Sequence, residues 1–131
     1  MKPEQILSTY VHVRNDNRLD AVPVTETFWA ELATGKHAQL DEGRLMSAFT
    51  FREPWSTWER HPAGEELVML ISGEATMTLQ IGDEEREVVL SAPGEYVLVP
   101  ANTWHTARTD VSTTMLFLTP GAGTEHRPVE A

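Results

Sequence analysis

From about Gly43 onward, apolar positions come in short runs broken by turn residues, and most runs alternate with a period of two. That period puts every second side chain on one face of a β-strand. Leu45, Ser47, Phe49 and Phe51 share one face of a strand closed by Pro54, and 56–61 form a second short strand ended by Pro62-Ala63-Gly64. The run 66–72 is nearly all apolar, as expected of a strand buried on both faces. In 74–81, Met77, Leu79 and Ile81 alternate with polar residues, and Gly82-Asp83-Glu84 predicts a hairpin loop into 86–90. Strands at 96–99, 104–108 and 114–119 complete an all-β series with turns at the spacing of a sandwich or barrel.

The first forty residues have a different texture. Residues 8–13 predict a strand, and 25–32 a short helix capped by Thr25, with Phe28, Trp29 and Leu32 on its apolar face. Such a segment could cover an open end of the barrel or pair with a second chain. Residues 120–131 are polar and rich in Gly and Pro, which predicts a loose tail. No repeat or internal boundary interrupts the chain. The reading is one domain, with 1–42 packing on the barrel or on a dimer partner, 43–119 the barrel itself and 120–131 the tail.

Composition narrows the function classes. The 131 residues contain no cysteine, which excludes disulfides, a thiolate nucleophile and Cys-ligated metals. Twenty acidic against ten basic residues give a formal charge of −10, which argues against a nucleic-acid partner. The longest apolar run, 67–71, is too short for a membrane span, and the first residues do not resemble a signal peptide, so a cytoplasmic location is expected.

Two segments carry chemistry. In Trp58-Glu59-Arg60-His61, residues 59 and 61 point the same way on a strand, and a turn at 62–64 would bring Glu66 back beside them within one hairpin. A second segment, 94–105, ends in His105 on a later strand. Glu59, His61, Glu66 and His105 are therefore candidate ligands for one divalent metal ion. His12, His37 and His126 are read as structural or solvent-facing, and Trp58 and Trp104 as pointing away from the metal face. Arg60 falls on the opposite face as well. Trp55 shares strand parity with Glu59 and is read as core packing ahead of the cup mouth, and Phe49, Phe51, Val68, Leu70 and Met77 are candidate cup-wall residues, with packing between the sheets as the alternative.

The two segments resemble the paired motifs of the cupin superfamily. The first motif is His-x-His, three or four residues, Glu, six residues, Gly. His61 occupies the second-His slot, four residues precede Glu66, and six more separate it from Gly73. Gly94, Pro100 and His105 match the second motif. Glu59 stands in the first-His slot, Asn102 replaces a glycine and can supply the positive φ needed there, and Thr109 replaces an asparagine.

The resemblance implies a single-domain cupin β-barrel or jelly roll of antiparallel strands with a metal at His61, Glu66 and His105. It also implies frequent homodimers, for which residues 8–13 are the candidate strand. Glu59 has two possible roles, a fourth ligand or a general base beside a two-His-one-carboxylate triad. A nitrogen and oxygen donor set leaves Fe, Mn, Ni and Zn open. The expected function is a metal-dependent enzyme acting on a small, largely apolar or aromatic molecule, with dioxygenase-like or isomerase/cyclase-like chemistry. The alternatives are a small-molecule-binding or sensor cupin with a structural metal, and a metal-free association domain.

Overall fold

The computed structural model of the protein describes residues 1–130. Eleven strands, one six-residue helix and one 3-10 turn follow in the order β1 (Thr9–Val13), β2 (Leu19–Pro23), α1 (Phe28–Ala33), the turn Ala38–Asp41, β3 (Arg44–Phe51), β4 (Thr57–Arg60), β5 (Glu66–Ser72), β6 (Ala75–Ile81), β7 (Glu84–Leu90), β8 (Tyr96–Val99), β9 (His105–Arg108), β10 (Thr113–Pro120) and β11 (Glu125–Pro128). All pairings are antiparallel, in a six-stranded sheet ordered β2-β1-β3-β10-β5-β8 facing a five-stranded one ordered β11-β4-β9-β6-β7. The described residues include no helix long and apolar enough to cross a membrane.

The period-two pattern places the core. Val68 and Leu70 of β5, Met77 and Leu79 of β6, Ala107 of β9, and Met115 and Phe117 of β10 point between the sheets and pack as one cluster. Val68, Leu70 and Met77 therefore belong to this closed packing and not to an open cup wall. A smaller cluster of Tyr10, Phe28, Leu40 and Leu45 fixes the N-terminal segment over one end of the barrel. Gly73 turns β5 into β6 at φ +86°, where an added Cβ would lie 2.5 Å from the Ser112 carbonyl oxygen, so glycine is required there.

Five expectations are corrected. The apolar run at β5 is fully buried on one face only; Glu66, Val68 and Leu70 are covered, whereas Leu67 and Met69 are half-buried and Ile71 is exposed. β4 and β5 do not form a hairpin, because the turn at 62–64 carries the chain from one sheet to the other. β1 lies between β2 and β3, paired along its length with β2 and over Val11–Val13 with β3, so it is an inner strand of its own sheet and not a free edge. Helix α1 starts two residues later than expected, with Thr27 at its N-cap; Thr25 instead meets the Thr27 hydroxyl at 3.3 Å. The C-terminal segment is no loose tail, since β11 pairs residue for residue with β4. It lacks apolar alternation because it is a sheet edge with little core to cover.

Candidate metal centre

Three strands and one turn deliver the chemistry. Glu59 lies on β4, directly opposite His105 on β9; His61 follows β4; and Glu66 opens β5 on the facing sheet. One ligand atom from each of these four residues lies within 4.8 Å of all the others. His105 Nε2 is 2.9 Å from Glu66 Oε1 and 3.4 Å from Glu59 Oε1. His61 Nε2 is 3.2 Å from Glu66 Oε2 and 3.5 Å from Glu59 Oε1. Donor atoms about 2.1 Å from a shared ion stand roughly 3.0–3.4 Å apart for octahedral to tetrahedral angles, so the spacing suits one cation.

The hydrogen-bond inventory agrees. His61 Nε2, His105 Nε2 and Glu66 Oε1 are buried, and although they lie close to one another or to the neighbouring carboxylates, none makes a well-aligned hydrogen bond among the described residues. Orphaned buried polar atoms are costly, and three that converge fit a cation that all can bind. The other edges of the same side chains are satisfied. His105 Nδ1–H donates to the Thr103 carbonyl at 2.9 Å, which leaves Nε2 to carry the lone pair in the neutral ring. His61 Nδ1 meets Thr124 Oγ1 at 2.9 Å, and Thr119 Oγ1–H donates to Glu66 Oε2 at 2.6 Å.

Without a cation the four groups answer one another. Burial opposes a proton on either ring, but contacts with Glu59 and Glu66 outweigh it, pushing the His61 pKa up to about 9 and that of His105 up to about 10. Burial would raise the pKa of Glu59, yet His105, His126 and His61 hold it well below the usual carboxylate range. Glu66 is likewise lowered, because His105 and His61 overcome its burial.

Glu59 differs from the other three. Its side chain is 20% exposed, against 4% for His61, 1% for Glu66 and 0% for His105. Its exposed side faces a cavity of about 890 Å³ whose lining includes Trp29, Leu32, Leu40, Phe49, Trp55 and Phe117. Of the expected wall residues Phe49 lines this space, and Trp55 does so too. The N-terminal segment supplies part of the wall through Trp29, Leu32 and Leu40, so covering the barrel end is one of its structural roles. Trp58 and Trp104 point outward, where Arg127 lies over both rings and Arg60 over the second. Arg60 also pairs with Glu125, in keeping with its place on the outer face.

His126, read as structural or solvent-facing, has a 55% exposed side chain and also approaches the site. β11 sets it opposite Glu59, with Nε2 at 3.5 Å from Glu59 Oε2, and it lines the cavity. Thr124, beside it, is equally part of the site. Their only sequence signal is a Thr-x-His pair inside a Gly/Pro-rich stretch. His12 and His37 lie elsewhere, bonded to the Glu42 carbonyl and to Glu31. Asn102 takes φ +57° in the glycine slot of the second segment, and its N–H donates to the His61 carbonyl at 2.9 Å. Thr109 bonds the Glu74 carbonyl at 2.6 Å and so ties the β9–β10 turn.

Replacing Thr124 by valine removes the partner of His61 Nδ1 while keeping the side chain's shape. Divalent-metal affinity is expected to fall about 10–100-fold in calorimetric titration, with melting of the chelated protein changing little. An unchanged affinity would show that Thr124 does not orient the ring.

The family model described as the cupin domain matches residues 51–121. No curated protein matches. Among solved structures, a cupin superfamily protein from Desulfitobacterium hafniense is 26% identical over 58% of this chain and 65% of that one, with a TM-score of 0.49. This chain thus spans slightly less than two thirds of that relative. Hydroquinone 1,2-dioxygenase from Sphingomonas sp. TTNP3 aligns at 15% identity over 61% of this chain and 60% of that one, TM-score 0.52. The oxalate decarboxylase of Bacillus subtilis, whose structure was studied for its Mn(II) centres, aligns at 21% identity over 72% and 26%, TM-score 0.55. At such identities the last two establish the fold. With the family match covering more than half of its residues, the chain belongs to the cupin family.

Proposed function

We propose that this chain is a metal-dependent cupin enzyme acting on a small, largely apolar or aromatic molecule, by dioxygenase-like or isomerase/cyclase-like chemistry. The observation that carries the reading is three orphaned buried donors converging beside an aromatic-walled cavity. Glu59, His61, Glu66 and His105 would hold one divalent ion, which supplies Lewis acidity, and redox capacity if it is iron or manganese. The aromatic wall would strip water from a ring-bearing substrate and orient it. Glu59, the exposed member, would complete the ligand set or accept a substrate proton at Oε2, beside His126.

Four protein donors also suit a structural metal in a non-catalytic binding or sensor cupin. The deciding experiment is elemental analysis of protein purified without added metal, beside Glu59→Gln. Stoichiometric metal in both proteins leaves Glu59 free to act as a base. Metal lost from the variant makes it a ligand, and a wild-type site with no displaceable water would then favour the structural reading. A wild-type site that stays empty on titration with Mn, Fe, Ni and Zn ends the enzyme reading.

The proposal includes a homodimer, joined through the outer face of the six-stranded sheet. Two cross-strand rows there are wholly apolar, Leu98-Leu67-Leu118-Met46-Val11 and Tyr96-Met69-Leu116-Ala48. Leu98 and Tyr96 are more than half exposed, and a row with no charge suits a second copy of itself. Sedimentation equilibrium should find a dimer that Leu98→Glu converts to a folded monomer. A monomeric wild type would refute the pairing.

A further inference from the structure

We propose that the cavity selects uncharged, hydroxylated aromatic molecules and rejects carboxylate anions. This inference rests on the metal-site reading above and adds the charge of the substrate to it. The first support is the lining itself. Asp41, Glu59 and Glu66 contribute carboxylates to the cavity, and no lysine or arginine lines it among the described residues. Arg60 is held by Glu125 and Trp104, Arg127 lies over Trp58 and Trp104, and Arg44 lines a separate, smaller pocket that shares Asp41, Pro120 and Gly121 with this one.

The second support is charge balance at the centre. Two carboxylates offset a divalent ion in full, so the loaded cluster is formally neutral, and Asp41 adds a further carboxylate to the wall. The glutamate in the first-His slot is decisive here, because a neutral imidazole in its place would leave the loaded centre with a net positive charge. An anion entering this space gives up its hydration and meets Glu59, with no lysine or arginine among the lining residues to replace the lost water.

The wall favours a ring. Phe49 and Phe117 stack at 4.7 Å with their planes 15° apart, Trp29 meets Phe49 edge-on, and Trp55 lies 6.3 Å from Phe49. A hydroxyl on that ring would donate to Glu59 Oε2, which the half-exposed His126 ring approaches with Nε2 at 3.5 Å.

Calorimetric titration of the full chain with 4-hydroxybenzamide and 4-hydroxybenzoate tests this, since the two probes match in shape and differ in charge near pH 7.5. Both are titrated into Zn(II)-loaded and into chelated protein. The amide is expected to bind at least about ten-fold more tightly in both forms, and Glu59→Gln should narrow that ratio several-fold. Equal or tighter binding of the carboxylate, or no binding of either probe, overturns the proposal. The metal reading fails separately: if Zn(II) does not load, the amide preference is still measured in chelator, where the carboxylate-bearing lining without lysine or arginine must produce it.

Discussion

His105→Ala is expected to abolish stoichiometric metal binding and to destabilise the metal-free protein by about 3 kcal/mol or more. Two independent effects act at this position. His105 is fully buried, and its Nδ1–H bond to the Thr103 carbonyl aims Nε2 at the cluster. Alanine deletes that donor, and a cation left with one imidazole should bind at least about 100-fold more weakly, beyond the usual effect of a lost supporting partner. The second effect needs no metal. Glu66 is 2% exposed, and with His105 gone it retains only His61 and the Thr119 hydroxyl. Breaking a buried pair by removing one partner leaves an uncompensated charge, which is the costly case. Metal analysis and chemical denaturation in chelator separate the two effects. A variant as stable as wild type in chelator would show that the apo cluster is not held by charge pairing.

The stability of chelated protein should fall as pH rises from about 6.5 to 10, and bound metal should remove that fall. The folded pKa values of His61 and His105 are about 9 and about 10, whereas an unfolded histidine titrates near 6.5. Between those limits the folded state holds protons that the unfolded state releases, so raising the pH favours unfolding by up to about 1.4 kcal/mol per pH unit for each histidine. The contribution is fully present below 6.5 and gone above 10. Glu59 and Glu66 act in the opposite sense. Their lowered pKa values add stability above about 4.5, and it is lost as the pH drops. Metal-free protein should therefore be most stable between roughly pH 5 and 6.5. A bound ion takes the place of both imidazolium protons, so loading near pH 7.5 should release about two protons per ion. Titration in buffers of different ionisation enthalpy counts them. Zero protons released, or identical alkaline melting with and without metal, would contradict the coupling.

The sequence made the barrel and three of its ligand positions legible because each rests on a local rule. Alternation marks β3, β6 and β10, and motif spacing marks His61, Glu66 and His105. Long-range facts were harder to read. That β4 and β5 face each other across the barrel depends on which sheet each joins, and a turn at 62–64 is compatible with either arrangement. β2 and β11 are edge strands that cover little core, so no alternation betrays them. Thr124 and His126 reach the centre only because β11 pairs with β4, and nothing in the 120–131 composition announces that register. The over-reading of β5 has a different cause. Its outward residues are apolar, yet within one chain they cover nothing.

The placement of the ligands on opposite sheets makes the centre a mechanical element. Glu59 and His105 belong to the five-stranded sheet and His61 extends it, whereas Glu66 belongs to the six-stranded one. A cation gripped by all four would act as a rivet through the sandwich, and any breathing of the two sheets must stretch it. Amide hydrogen exchange in β4, β5 and β9 should then slow on loading, while β2, at the far edge of the six-stranded sheet, keeps its own pace.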